Sequence, residues 1–343
     1  MRRICLALQG GGAHGAFTWG VLDRLLEEED IEIAAISGTS AGALNGAALK
    51  AGLARGGRED ARATLDWLWH EVAGLRDHGV PEWMTAWLPD PGLVSRTVQY
   101  SVAFAAGEAV GRMLSPYAWG PLYRNPLADV VEKLDFKTVC CAEGPELFVS
   151  ATSVRDGKVR VFERERLCPD AILASACLPT LFQAVEMTDP ETGETEAFWD
   201  GGYSGNPVLF PLFKPSLPDD VVIVNINPLV REALPVTPQE IQNRINEISF
   251  NSALLRELRA IEFVQRLIEA GSVSPEAMKK LRVHMIADDA LMNSLSVATK
   301  LVPFPTIVAQ LKEAGRIAAD GFLSEHGPEI GTRQTTDLRA MFA

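Results

Sequence analysis

Apolar residues recur along this chain in two alternating rhythms. Arg3 to Gln9 is a short apolar run stopped by glycine, the pattern of a strand buried on both faces. From Gly15 onward, Phe17, Val21, Leu22, Leu25 and Leu26 recur at helical spacing, and the acidic run Glu27 to Asp30 ends that helix. Ile31 to Ile36 predicts a second buried strand, broken at Ser37-Gly38, and the small-residue stretch AGALNGAALKAG predicts a helix from Ala41. Strand, helix, strand, helix in this order predicts parallel pairing with helices on both faces: a three-layer α/β/α fold with a mainly parallel central sheet.

The later segments fit the same plan. LFVSATSV and KVRVF flank Asp156-Gly157, a hairpin turn signal. A helix follows near Pro169 to Cys177, then the strand EAFWDG and the β-branched run VVIVNI at 221 to 226. A long amphipathic helix is predicted over 239 to 270, ended by Gly271, then a strand LRVHMIA at 281 to 287 and a helical remainder. Between 60 and 120 lie Trp67, Trp69, Trp83, Trp87 and Trp119, five of the seven tryptophans, with Met84 and Met113. Such a segment is either a cap over the sheet or ordinary helical packing. No linker divides the chain, so a single domain is expected over 1–343, with its motifs within about 3–227, an inserted helical cap over about 60–125 and a helical C-terminal extension over about 235–343.

A formal net charge of −13, with no basic stretch to offset it, argues against a nucleic-acid partner and leaves contact with anionic lipid to a local patch. Cys5, Cys140, Cys141, Cys168 and Cys177 show no metal-ligand spacing; they read as free thiols in a reducing compartment, and no metal site is expected. Met1-Arg2-Arg3 before ICLAL lacks the length of a secretory leader, and Val98 to Tyr117, the nearest approach to a membrane span, is interrupted by Glu108 and Arg112. The expected location is cytoplasmic.

Chemistry concentrates at strand ends. Gly38 to Gly42 reads GTSAG, a nucleophile elbow in its strand–turn–helix context. A nucleophilic serine needs a sharp turn, glycines two positions to either side allow close packing, and the helix N-terminus beyond Ser40 favours developing negative charge. Ser40 also needs a base. A Ser…Asp…His order would choose His284 or His326, but His284 alternates with apolar residues like a packed histidine and His326 sits in the polar stretch SEHGPE, like a surface loop. The other candidate is Asp200, which ends a short apolar run before Gly201 and Gly202. Parallel strands deliver their C-terminal ends to one edge of a sheet, where it would meet the serine. The first turn, QGGGAHG, has two readings: a cradle for a nucleotide phosphate, or for an oxyanion formed during chemistry. Gly10-x-Gly12-x-x-Gly15 matches the dinucleotide fingerprint, yet the second strand ends in Ser37-Gly38-Thr39-Ser40 without the acidic residue that holds a ribose.

GGGAHG, GTSAG and DGG, in this order at strand ends, resemble the patatin-like phospholipases, lipid acyl hydrolases that use a Ser–Asp dyad. ASACLP at 174 to 179 is similar to the family's Ala-Ser-x-x-x-Pro segment. The resemblance covers roughly residues 3 to 227 and implies a patatin-like fold, Ser40 as nucleophile and Asp200 as base. It implies an oxyanion loop at Gly10, Gly11 and Gly12, with amide donors from Gly11, Gly12 and Ala13. It further implies lipid or other acyl-ester substrates and no cofactor; for such substrates the segment from Trp83 to Trp119 is either a lid or peripheral membrane-contacting surface or a completion of the core. The family usually carries Arg or Lys where this chain has His14, which would leave the loop its backbone amides without an adjacent fixed charge. An acyltransferase or thioesterase would share the same dyad, and the long C-terminal amphipathic helix is a surface on which a homodimer would form.

Overall fold

The computed structural model describes residues 1–74, 90–99, 101, 115–189, 192–274 and 277–343. The strands are β1 (Arg2–Leu8), β2 (Ile31–Thr39), β3 (Glu146–Ser153), β4 (Val159–Glu163), β5 (Val185–Thr188), β6 (Thr195–Asp200), β7 (Asp220–Asn225) and β8 (Arg282–Ala287), and they form one sheet. Its parallel part runs β3-β2-β1-β7-β8; β4 and β6 pair antiparallel with β3, and β5 pairs antiparallel with β6. The principal helices are α1 (Gly15–Leu25), α2 (Ala41–Gly56), α3 (Arg58–Val72), α4 (Pro91–Gln99), α5 (Pro169–Ser175), α6 (Pro238–Glu269), α7 (Val297–Leu301) and α8 (Pro305–His326).

Alternation along β1 explains the three layers. Ile4, Leu6 and Leu8 join a core with residues of α1, α2, α3, α5 and α8, while Cys5 and Ala7 point to the other face and join Leu254, Leu258 and Ile261 of α6. β7 splits the same way, with Val222 and Val224 in the first core and Val221 and Ile223 in the second. A strand buried on both faces needs apolar residues at every position, which is why these runs carry no polar alternation.

The region around β3 departs from the expected parallel delivery. Phe148 to Thr152 of β3 pair with β4 along one edge, so the other edge is left for two strands in succession. β2 occupies it as far as Thr39 opposite Ser150, and β6 takes over at once, with Asp200 opposite Ala151. β2 runs up this edge and β6 runs down it, so their C-terminal ends meet head to head. Asp200 therefore reaches the serine turn from an antiparallel strand, not as one more C-terminal end of a parallel set.

Most predicted elements lie within a residue or two of their observed limits. β2 continues past Ile36 to Thr39 because Ser37 and Gly38 remain in the ladder with β1 and β3. β5, which has only half-exposed Val185 and Met187 on its inner side, lacks the apolar signal that would have announced it. His326 is the last residue of α8, packed beside Phe322, and not part of a loop. Trp69 is buried and stacks on Trp19 with ring centroids 6.4 Å apart, so this part of the tryptophan-rich segment is core packing. Trp83, Trp87, Met84 and Met113, with the rest of residues 75–89, 100 and 102–114 in the stretch expected to form a cap, lie outside the described residues. All five cysteines are unbridged, with Cys5 and Cys177 buried and the other three part-buried. Among the described residues no helix is long and apolar enough to cross a membrane.

Candidate active site

Ser40 stands between β2 and α2 with φ 54° and ψ −119°, a conformation that L-residues rarely adopt. Holding a non-glycine residue there costs of order 1–3 kcal/mol and requires surroundings that over-determine it. They do so here: the Ser40 amide donates to the Ser175 hydroxyl at 2.9 Å, and Ala43 and Leu44 donate back to the Ser40 carbonyl at 2.9 and 3.1 Å. Ser175 belongs to the ASACLP segment, so that motif supports the turn directly. Gly38 and Gly42 are packed backbone against backbone; a Cβ on Gly42 would lie 2.1 Å from the Leu8 carbonyl oxygen.

Asp200 is fully buried. Its Oδ1 accepts from the Gly202 amide at 2.7 Å, while Oδ2 makes no hydrogen bond among the described residues. Burial pushes its pKa from the ordinary 3.8 up to about 7, and the Gly202 amide and the Ser40 hydroxyl pull the other way. A carboxyl that senses the serine hydroxyl, keeps one oxygen open and titrates near neutrality can hold either proton state in this setting. Its main chain is fixed too: the Asp200 amide donates to Cys177 at 2.7 Å and its carbonyl accepts from Thr152 Oγ1 at 2.8 Å. Gly201 and Gly202 turn the chain away under Ser150 and against Phe250 of α6.

The first turn lies against the second. A Cβ on Gly10 would sit 2.7 Å from Ser40 Cβ, so the glycine loop touches the serine elbow. The Gly10 amide is engaged by Asn206 Oδ1 at 2.6 Å. It is therefore not an available donor, whereas the amides of Gly11, Gly12 and Ala13 have no acceptor among the described residues. Gly12 has φ +59°, and a Cβ there would meet the Lys300 carbonyl oxygen of α7 at 2.2 Å, so both dihedral and space demand glycine. His14 is buried, with Nε2 2.9 Å from Thr299 Oγ1, and burial holds its pKa well below the usual imidazole value, aided by Lys300. At position 14 the chain thus carries a neutral ring.

Beneath the loop lies a buried amide network that the sequence did not advertise. Gln9 Oε1 accepts from the amides of Ile226 and Asn227 at 2.9 and 3.0 Å, and its Nε2 donates to the Asn206 carbonyl and to Asn251 Oδ1, each at 3.2 Å. Asn206 and Asn227 both donate to the Gly10 carbonyl, at 3.2 and 2.8 Å. Isolated Asn residues read as turn formers; nothing local marks them as partners of a loop some two hundred positions away. The alternative bases stand elsewhere. His284 lies 3.1 Å from Asp220 and 3.0 Å from Thr335 Oγ1, and His326 pairs with Glu325 and Glu329.

No curated protein matches the chain. The crystal structure of VipD from Legionella pneumophila is similar at 13% identity with a TM-score of 0.43, covering 95% of this chain and 67% of that one. The heterodimeric ExoU–SpcU complex from the type III secretion system of Pseudomonas aeruginosa is similar at 17% identity with a TM-score of 0.27, covering 96% of this chain and 61% of the other. Residues 6–212, more than half the chain, match the patatin-like phospholipase family. That segment holds the glycine loop, the serine elbow and the Asp200 turn, and the chain is a member of the patatin-like phospholipase family, a family of lipid acyl hydrolases.

Proposed function

We propose that the chain hydrolyses carboxylic esters of lipids through an acyl-enzyme on Ser40, with Asp200 as the general base. The observation that carries this reading is the head-to-head meeting of β2 and β6 on one edge of β3, which brings the strained serine to a buried carboxyl with an open oxygen. Asp200 takes the Ser40 proton as Oγ attacks the acyl carbon. The carbonyl oxygen becomes negative beside the amides of Gly11, Gly12 and Ala13 and is held there by preorganised donors. Asp200 then returns the proton to the leaving alcohol, and in the second half it activates water to release the acid. Each step uses groups of this chain. Thioester hydrolysis or transfer to another alcohol would run through the same acyl-enzyme, and product analysis with added alcohol separates them.

Fluorophosphonate labelling followed by peptide mapping is expected to mark Ser40. Ser40→Ala and Asp200→Asn are each expected to lower turnover of a p-nitrophenyl ester by about 10³ or more with the fold intact. Activity that survives in Asp200→Asn but is lost in His284→Ala or His326→Ala would replace the dyad by a triad.

Peripheral contact with lipid belongs to the same proposal. Ile241, Ile245 and Ile248 of α6 recur at i, i+4 and i+7 and are 43%, 51% and 54% exposed, on the helix that carries Phe250 against Gly202. Flotation with liposomes is expected to fall in Ile245→Glu/Ile248→Glu while soluble-ester turnover stays within twofold. If those changes instead dissociate a dimer in sedimentation and leave flotation unchanged, the stripe serves self-association.

A further inference from the structure

Lys300 lies in α7, far beyond the segment that matches the family, yet its backbone covers Gly12. Its ammonium is part-buried and donates to Asn227 Oδ1 at 2.9 Å. It forms no ion pair among the described residues. The buried acid whose field it shares, Glu247, already binds Arg231 at 2.6 Å and Arg244 at 3.3 Å. Burial pulls the Lys300 pKa down to about 8. A cation kept in such a place, opposite a neutral amide oxygen, has to be accounted for by what that amide does next.

Asn227 has two ends. With the ammonium at Oδ1, its Nδ2 must face the other way, and there it donates to the Gly10 carbonyl at 2.8 Å. The carbonyl of Gly10 and the amide of Gly11 share one trans peptide plane and point in opposite directions. Drawing the carbonyl toward Asn227 therefore turns the Gly11 N–H away from the network. Were the Asn227 amide reversed, its oxygen would oppose the Gly10 carbonyl and the plane would lose this constraint.

We propose that Lys300 is the positioning cation of the oxyanion loop: through Asn227 it sets the Gly10–Gly11 peptide and places positive charge behind the amides that receive the acyl oxygen. This rests on the Ser40–Asp200 reading. It also accounts for a neutral His14, since the charge enters from α7 and not from the loop.

The test compares Lys300→Met, Lys300→Arg and Asn227→Asp in the full chain, with Ser40→Ala as the control and thermal melting as the check on folding. Lys300→Met is expected to lower kcat for a soluble ester about tenfold with KM within twofold, and to slow fluorophosphonate labelling by a similar factor. Lys300→Arg is expected to recover most of kcat, because it restores the charge and a donor. Asn227→Asp keeps an oxygen for Lys300 but removes the shorter of the two N–H donations to the Gly10 carbonyl, leaving that of Asn206 at 3.2 Å, so it is expected to lower kcat even with an unchanged melting temperature. It also decides the matter if Lys300→Met does not fold. Wild-type kcat in folded Lys300→Met or Asn227→Asp, with Ser40→Ala inactive, overturns the proposal. Full activity in Ser40→Ala would overturn the dyad reading instead.

Discussion

The base role proposed for Asp200 and the burial of its carboxyl pull against each other. As a base it must be ionised, yet its burial raises its pKa from 3.8 to about 7. Below about pH 7 the carboxyl holds its proton, so kcat/KM on a soluble ester is expected to rise about tenfold per unit of pH and level off above 7. A profile that is flat from pH 5 to 8 would remove Asp200 from the base role. The same shift has a cost in stability. The folded state holds this proton more tightly than the unfolded chain does, so the group's contribution is most favourable below about pH 4 and is lost as pH rises through 7. Asp200→Asn is therefore expected to be inactive but to melt higher than the wild type at pH 8, with a smaller gain at pH 5. Calorimetry at both values checks the sign. Ser40 was legible in the sequence because its turn is spelled in five adjacent residues. Asp200 was legible once its strand end was set beside the two glycine turns. Gln9, Asn206, Asn227 and Lys300 were not, because what gives each of them meaning is a partner brought near only by the completed sheet.

At the scale of elements, the parallel strands and their helices were readable from uninterrupted apolar runs and from helical spacing. The handover from β2 to β6 was not. Strand direction leaves no mark in a short run such as EAFWD, and only the register against β3 shows that Asp200 arrives from the opposite sense. Close packing of α2 against the end of β1 makes the elbow intolerant of bulk. Gly42→Ala would set a methyl 2.1 Å from the Leu8 carbonyl oxygen and is expected to cost about 3 kcal/mol or more, or to prevent folding. Gly321→Ala, in α8 with open space around its Cβ position, is the matched control and is expected to stabilise by about 0.5–1 kcal/mol. Chemical denaturation of the pair measures both. Equal effects at the two sites would mean that α2 does not pack as described.

Across the molecule, a second buried carboxylate behaves in the opposite way to the first. Asp220, at the start of β7, binds Arg282 and His284 of β8 and accepts from the Gly331 amide, joining the far side of the sheet to the C-terminal segment. These partners overcome its burial and hold its carboxyl well below the usual range. Its contribution is present above about pH 4 and is lost as pH falls toward the folded value. Asp220→Asn is expected to destabilise by about 3 kcal/mol at pH 7, since Arg282 loses its buried partner, and the gap from wild type is expected to narrow in acid. Melting curves at pH 7 and pH 3.5 decide it; a constant gap would assign the loss to packing alone.

The glycine loop near the start of the chain is bounded by Ile226, Asn227, Thr299 and Lys300. As the polypeptide leaves the ribosome, every motif residue is therefore made well before the groups that bound its glycine loop. On the proposed roles of Ser40, Asp200 and Lys300, a nascent chain already carrying nucleophile and base would stay idle until α7 emerged, and synthesis itself would impose a delay between making those residues and arming them.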